Sequence, residues 1–129
     1  MGTLTISDQR GASPARETMG LPDVPTRLTL RELITLRVRE EVARFNAGRT
    51  ADVSPLVEPP AAERALRRGL PRTGPVAWEP HAEAACRAFT RNGFFVLVGG
   101  CQLDGLDDEI DLAGDPDVVF IKLVQLVGG

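Results

Sequence analysis

Two runs of consecutive β-branched and aromatic residues limit the folds open to this chain: FFVLV at residues 94–98 and VVFIKLV at residues 118–124. A strand with one face in solvent alternates apolar and polar side chains, whereas these runs are apolar at successive positions. We therefore predict two strands of a sheet that is covered on both faces. Gly99 and Gly100 follow the first run and predict a tight turn, after which residues 101–103 pair back onto it.

A long helix is predicted at residues 29–45, TLRELITLRVREEVARF. Thr29, followed three residues later by Glu32, forms a capping box that satisfies unpaired N–H groups of the first helical turn. Apolar residues then recur at helical spacing, which predicts that one side of the helix covers one face of the sheet. The other face is left to residues 46–92 or to a partner protein, and we favour residues 46–92. The residues of the apolar stripe are Leu30, Leu33, Ile34, Val38, Val42 and Phe45.

Shorter local patterns predict the remaining elements. Residues 3–7 and 16–21 flank a turn-rich stretch and predict an opening β-hairpin. Residues 46–80 are rich in Gly, Pro, Ala and Arg and predict an insertion of loop and short helix before the third strand. A second helix is predicted at residues 81–92, with Pro80 in its first turn. Its predicted packing positions are Ala84, Ala85 and Phe89, and its predicted stop is Asn92-Gly93.

A single α+β domain is expected from these elements and from 129 residues, of which 43% are hydrophobic and 26% charged. Cys86 and Cys101 lack CxxC spacing and His81 is the only histidine, so neither a zinc site nor a disulfide framework is predicted. The sequence has no apolar run of about 18 residues and no signal-peptide layout, which predicts a cytoplasmic protein without a membrane partner.

Charge is unevenly distributed along the chain. Residues 1–100 contain 14 Arg and 11 acidic residues, whereas residues 101–129 contain 7 acidic residues and Lys122, the single lysine. The arginines alternate with acids and form no basic stripe, so no nucleic-acid partner is predicted. The acidic residues do not have the spacing of an EF-hand loop, and no metal site is predicted. These acids are Asp104, Asp107, Asp108, Glu109, Asp111, Asp115 and Asp117.

The order of elements in residues 94–129 resembles the C-terminal half of the ubiquitin-like β-grasp superfamily, especially the prokaryotic sulfur carriers of molybdopterin and thiamine synthesis. Six elements follow one another in the same order in both: a strand of the VLVNG kind, a short return strand, a Leu-acid segment, a turn of the GDEV kind, a final apolar strand and a terminal Gly-Gly. RETMGL and TLRELI, within residues 16–45, resemble the second strand and the grasping helix. Residues 46–92 depart from the pattern, so the chain is more similar to a bacterial ubiquitin-like protein with an elaborated middle than to a minimal carrier.

The resemblance implies a mixed four- to five-stranded sheet over one main helix, with residues 125–129 as a C-terminal tail. It further implies that the carboxylate of Gly129 is the reacting group. A carboxylate is anionic at neutral pH and resists attack by nucleophiles, so an activating enzyme would first adenylate it with ATP. Gly128 and Gly129 lack a Cβ and fit a narrow channel. Leu126 and Val127 are expected to dock on the activating enzyme, or else to be the frayed end of the last strand.

Three functions follow from the resemblance, and none of them gives this chain a catalytic residue or a bound cofactor. In the first, the chain is a protein modifier joined to targets through Gly129, and its partners are an activating enzyme, a conjugating enzyme and a metal-dependent deconjugating peptidase. In the second, Gly129 becomes a thiocarboxylate and donates sulfur to a biosynthetic enzyme. In the third, the domain binds partners without covalent transfer. The oligomeric state and the bond to the target are left open.

Overall fold

The computed structural model describes residues 2–11, 16–48, 56 and 77–122, and this part of the chain is an α+β protein with a five-stranded mixed sheet and two helices. A separate pair of short strands completes the described elements. In chain order the elements are β1 (Gly2–Arg10), β2 (Arg16–Val24), β3 (Arg27–Thr29), α1 (Leu30–Asn46), α2 (Glu79–Thr90), β4 (Phe94–Val98), β5 (Cys101–Gln102), β6 (Glu109–Asp111) and β7 (Val118–Lys122).

The main sheet has the strand order β2-β1-β7-β4-β5. β1 and β2 form the predicted opening hairpin, with nine residues in each strand. β7 lies at the centre, parallel to β1 and antiparallel to β4. The predicted turn and return strand are confirmed, because β5 pairs with β4 and the Leu103 N–H donates to the Val96 carbonyl at 3.0 Å.

The strands β3 and β6 form a two-stranded sheet that the sequence patterns did not predict. Leu28 and Ile110 face each other in this pair and are 4% and 2% exposed. Each strand has three residues and one buried apolar side chain, which is too short for a period of two to be recognised. The pair brings the acidic segment of the chain against the residues that precede α1.

α1 begins at Leu30, directly after its N-cap residue Thr29. The Thr29 hydroxyl accepts from the Glu32 N–H at 3.2 Å, and the Glu32 carboxylate accepts from the Thr29 N–H at 3.0 Å, which confirms the capping box. The apolar stripe is confirmed over its first three turns and is less buried towards the helix end. Leu30, Leu33, Ile34 and Val38 are buried in the core, whereas Val42 and Phe45 are half-buried.

α2 begins two residues earlier than predicted, with Pro80 in its first turn as expected. At its other end the Gly93 N–H donates to the Ala88 carbonyl at 2.8 Å, and a Cβ at Gly93 would lie 3.0 Å from that oxygen. Gly93 therefore ends the helix as predicted, because a side chain at this position would crowd the Ala88 carbonyl oxygen. Ala84 was the wrong packing position, because it is half-buried while the i, i+3, i+7 face of the helix meets the core. The buried residues of that face are Ala82, Ala85 and Phe89.

Both helices pack on the same face of the sheet. The rings of Phe89 and Phe94 lie 5.7 Å apart between their centroids, and Phe94 continues to Phe120 at 6.2 Å. Leu56 is buried in the same core. The described part of residues 46–92 therefore lies on the helix side of the sheet, and not on the opposite face that we expected it to cover.

The opposite face of the sheet carries the second set of side chains from the two apolar strands. Phe95 pairs with Ile121, and Leu97 pairs with Val119. Val119 is 4% exposed, while the other three side chains are half-buried. This apolar outer face explains why both strands are apolar at successive positions.

Candidate functional site

The residues predicted to form the site, Leu126, Val127, Gly128 and Gly129, lie outside the described residues, as do residues 123–124 of the predicted last strand. The structure describes the strand that leads to them. β7 ends at Lys122 between two neighbouring strands, opposite Arg10 on β1 and Phe94 on β4. The Lys122 carbonyl also accepts from the Gly11 N–H at 2.8 Å. The root of the predicted tail is thus held on both sides.

A buried ionic network surrounds this end of β7. Arg37 on α1 is 0% exposed, and both of its terminal nitrogens donate to the two carboxylate oxygens of Asp8, with Nη2 to Oδ2 at 2.6 Å. Arg37 Nε donates to Glu41 Oε2 at 3.1 Å, and its guanidinium lies 4.7 Å from the centre of the Phe120 ring. Lys122 Nζ lies 3.3 Å from Asp8 Oδ2. The network joins α1 to β1 and β7, three elements of one core.

Among the described residues, the network contains two cations, Arg37 and Lys122, and two carboxylates, Asp8 and Glu41. Burial alone would lower the pKa of the Arg37 guanidinium, but hydrogen bonds and charges from Asp8 and Glu41 outweigh it and hold that pKa above its ordinary value. Burial raises the pKa of the Glu41 carboxyl, against the opposing effects of Arg37, the Leu56 N–H and Lys122. The Leu56 N–H donates to Glu41 at 3.1 Å. Folding therefore disfavours the charged form of the Glu41 carboxyl.

Sequence reasoning missed this network, although a signal for it was present. Arg37 and Glu41 lie four residues apart with opposite charge, and both fall on the apolar stripe of the helix beside Ile34 and Val38. Charged residues on the core side of a helix need a partner, because an unpaired buried charge is costly. The partner Asp8, however, is 29 residues from Arg37 and has no pattern that marks it in the sequence.

A groove of about 610 Å³ lies between the two helices and is lined by Arg31, Trp78, Cys86 and Arg87 among others. Burial raises the pKa of the Cys86 thiol; the charge of Arg31 opposes this and that of Glu83 adds to it. A thiol with a raised pKa is mostly protonated at neutral pH, and the protonated form is a poor nucleophile. The groove therefore does not activate Cys86. Both Cys86 and Cys101 are free thiols.

The acidic segment that follows β5 makes both local hydrogen bonds and ion pairs with distant arginines. Asp108 accepts from the N–H groups of Asp104 and Gly105 at 2.9 and 3.0 Å, which fixes the turn before β6. Three further acids form exposed ion pairs with arginines of the first half of the chain, so the two oppositely charged parts of the sequence meet. These pairs are Arg16 with Asp117, Arg27 with Asp111 and Arg31 with Asp107, at 3.2, 3.9 and 3.5 Å.

Across residues 2–11, 16–48, 56 and 77–122, no three His, Cys, Asp or Glu side chains are placed to hold a metal ion together. Neither of the two described helices has the length and apolar character needed to cross a membrane. No protein-family model, no curated protein and no solved structure matches this chain.

Proposed function

We propose that this chain is a ubiquitin-like modifier with a β-grasp fold, whose Gly129 carboxylate is adenylated by an activating enzyme and then transferred to a thiol or to a target. The strand order β2-β1-β7-β4-β5 is the observation that carries the proposal. A β-grasp pairs its first and last strands in parallel at the sheet centre and packs one face on a helix. The parallel pair of β1 and β7, with α1 across it, is compatible with that arrangement. Topology therefore supports the assignment independently of the sequence motifs.

In this proposal the tail acts as a tether that delivers its carboxylate to the activating enzyme. Seven residues follow Lys122, and a fully extended segment of that length spans at most about 25 Å. Gly128 and Gly129 have no Cβ, so the end of the tether can enter a narrow channel near the nucleotide. Leu126 and Val127 would provide apolar contacts to the same enzyme.

The protein is accordingly a substrate in the cytoplasm and not a catalyst. ATP is consumed by the activating enzyme, and the modifier itself binds no cofactor. Attack by a thiol or amine on the acyl adenylate forms the new bond to the Gly129 carbonyl and releases AMP. A conjugating enzyme and a metal-dependent peptidase that cleaves the conjugate would complete the pathway.

A sulfur carrier is the second candidate, because the motifs in residues 94–129 resemble those of the carriers. The two candidates share the fold and the adenylation step, and they differ in the final chemistry. The intact mass of the protein purified from its native host separates them, because a thiocarboxylate replaces one oxygen of the Gly129 carboxylate by sulfur. The same measurement reports whether the native chain ends at Gly129.

The modifier is tested directly by peptide mapping of the native host proteome. Trypsin cleaves after Lys122, and residues 123–129 contain no Lys or Arg, so each modified target lysine should carry the heptapeptide LVQLVGG on its amine. We expect such remnants on lysines of other proteins. When Gly129 is changed to Val, neither this remnant nor the corresponding LVQLVGV should be found, whereas LVQLVGG should persist in the control variant Gly2→Ala, where a Cβ meets nothing within 4 Å.

Two outcomes would overturn the proposal. A thiocarboxylate on Gly129 without any heptapeptide remnant assigns the chain to sulfur transfer. Unchanged activity in the host after deletion of Gly128 and Gly129 assigns it to non-covalent binding, because neither the modifier nor the carrier can act without its reactive end.

A further inference from the structure

The single lysine of this chain is the only side-chain amine through which one copy could be linked to another. A modifier that forms chains needs an accessible amine on its own surface, and here that amine is Lys122. The position of Lys122 in the fold therefore decides whether lysine-linked chains can form.

Lys122 is held inside the ionic network and not on the open surface. Its side chain is 12% exposed, and its Nζ lies 3.3 Å from Oδ2 of Asp8, which is itself 8% exposed. The same oxygen accepts from Nη2 of Arg37 at 2.6 Å, so the carboxylate is shared by two cations. On the backbone, the Lys122 carbonyl accepts from the Gly11 N–H, which fixes the residue between β1 and β4.

Amide formation makes strict demands on such an amine. The ammonium must lose a proton, its nitrogen must attack the activated carbonyl carbon of Gly129 from a second copy, and the bond from that carbon to AMP or to a thiol must break with departure of the leaving group. Each step needs Nζ to leave the Asp8 carboxylate and reach solvent. Leaving the network would remove one of the two cations that share the buried Asp8 carboxylate, which costs free energy.

We propose that Asp8 withholds Lys122 from acylation, so that this modifier is attached to its targets as single units and not as lysine-linked chains. Asp8 acts here as a positioning residue, because it holds the amine without touching a substrate. The statement about chains rests on the proposed function. The low reactivity of the Lys122 amine does not, and it can be measured on the purified protein alone.

The reactivity is tested with the N-hydroxysuccinimide ester of acetic acid on the variant Arg91→Lys. Arg91 follows α2 and is exposed, so the substitution adds a reference lysine to the same folded molecule. Peptide mapping should show acetylation of Lys122 at least about tenfold slower than that of the reference lysine, because opening a buried ion pair costs more than one factor of ten in population. In denaturing urea the two rates should become equal. Equal rates in the folded protein would overturn the proposal.

The variant Asp8→Asn tests the role assigned to Asp8. In protein that circular dichroism shows to be folded, the rate at Lys122 should rise towards that of the reference lysine. An unchanged rate would show that packing alone protects the amine and would overturn the role of Asp8. If the variant is unfolded, the same test is made with Arg37→Lys, which keeps Asp8 but removes one of its two parallel bonds to Arg37. The Asp8 carboxylate remains available to Lys122, so acetylation of Lys122 should not become faster, and a faster rate would overturn the role of Asp8.

The native host separates failure of this inference from failure of the proposed function. Heptapeptide remnants on other proteins, with none on Lys122, are the expected result. A remnant on Lys122 itself, detected as an uncleaved peptide that begins at Asn92, would support conjugation and overturn the inference. The absence of all remnants would overturn conjugation, while the acetylation experiment would still decide the reactivity of Lys122.

Discussion

Asp8 and Arg37 form two parallel hydrogen bonds between the first strand and the main helix, with the guanidinium fully buried. This bidentate pair fixes the position of α1 over the centre of the sheet. It also leaves Asp8 Oδ2 in contact with Lys122 at the end of the last strand. The contacts that orient the helix and those that hold the end of β7 therefore depend on the same carboxylate.

Removal of the Asp8 charge should strongly destabilise the fold. Asp8→Asn leaves Arg37 and Lys122 without their shared carboxylate, and the loss of one partner from a buried ion pair costs about 3 to 5 kcal/mol. The free energy of unfolding is measured by urea denaturation at neutral pH. Asp117→Asn is the matched control. The side chains of Asp117 and its partner Arg16 are 62% and 47% exposed, so their ion pair should contribute less than about 1 kcal/mol to the free energy of unfolding. Similar losses in the two variants would contradict the structural role of the network.

Glu41→Gln should change how stability depends on pH. Because the pKa of Glu41 is raised in the folded protein, the folded state binds more protons than the unfolded state between the two pKa values. Ionised Glu41 therefore lowers the free energy of unfolding as the pH rises through this window, and it has no such effect below the ordinary carboxyl pKa. Urea denaturation of both proteins from acid to neutral pH should show the variant gaining stability over the wild type as the pH rises. A constant or shrinking difference would contradict this.

Thr29→Ala should remove the bond that the Thr29 hydroxyl accepts from the Glu32 N–H, and it should lower the free energy of unfolding by about 1 kcal/mol. The matched control is Thr35→Ala within the same helix, where the hydroxyl donates to the Arg31 carbonyl at 2.8 Å and caps nothing. That variant should change stability by no more than about 0.5 kcal/mol, because alanine is the better helix former. Thermal or urea denaturation measures the free energy of unfolding of both variants. Equal losses of stability in the two would contradict a role of the cap at the start of the helix.

The two thiols should react with iodoacetamide at different rates at neutral pH. Cys101 is exposed at the start of β5, whereas Cys86 is half-buried on α2 and burial raises its pKa. Since the thiolate is the reacting form, Cys86 should be alkylated more slowly. The variants Cys86→Ser and Cys101→Ser each retain one thiol, so the intact mass over time gives both rates. A faster reaction at Cys86 would indicate that the groove activates this thiol.

Local features of the fold were predictable because their causes lie within a few residues of one another. The capping box needs only Thr29 and Glu32, the helical stripe needs a period of 3.6, and the turn at Gly99-Gly100 needs glycine. The opening hairpin was predicted in the same way, although its strands extend further than their apolar residues indicate. Gly128-Gly129 lies outside the described residues, and the tail remains a prediction from the sequence.

The features that were missed depend on residues far apart in the chain. The pair of β3 with β6 joins segments about 80 residues apart, and neither strand has enough apolar residues to be recognised separately. The side of the sheet on which α2 lies follows from the contact of Phe89 with Phe94, which no period in α2 predicts. Ala84 was mistaken for a core residue because small residues on a helix do not by themselves define its buried face.

The sequence determined the two helices and the strands of the five-stranded sheet, where the main helix begins, and that Lys122 is the only lysine. Tertiary structure alone decided that this lysine is enclosed, that both helices lie on one face, and that Arg37 has a carboxylate partner on the apolar side of α1. The physical reason is that burial of a charge is tolerated only when an opposite charge is brought beside it. Asp8 supplies that charge to Arg37 and Lys122 from the first strand, and only folding brings the three together.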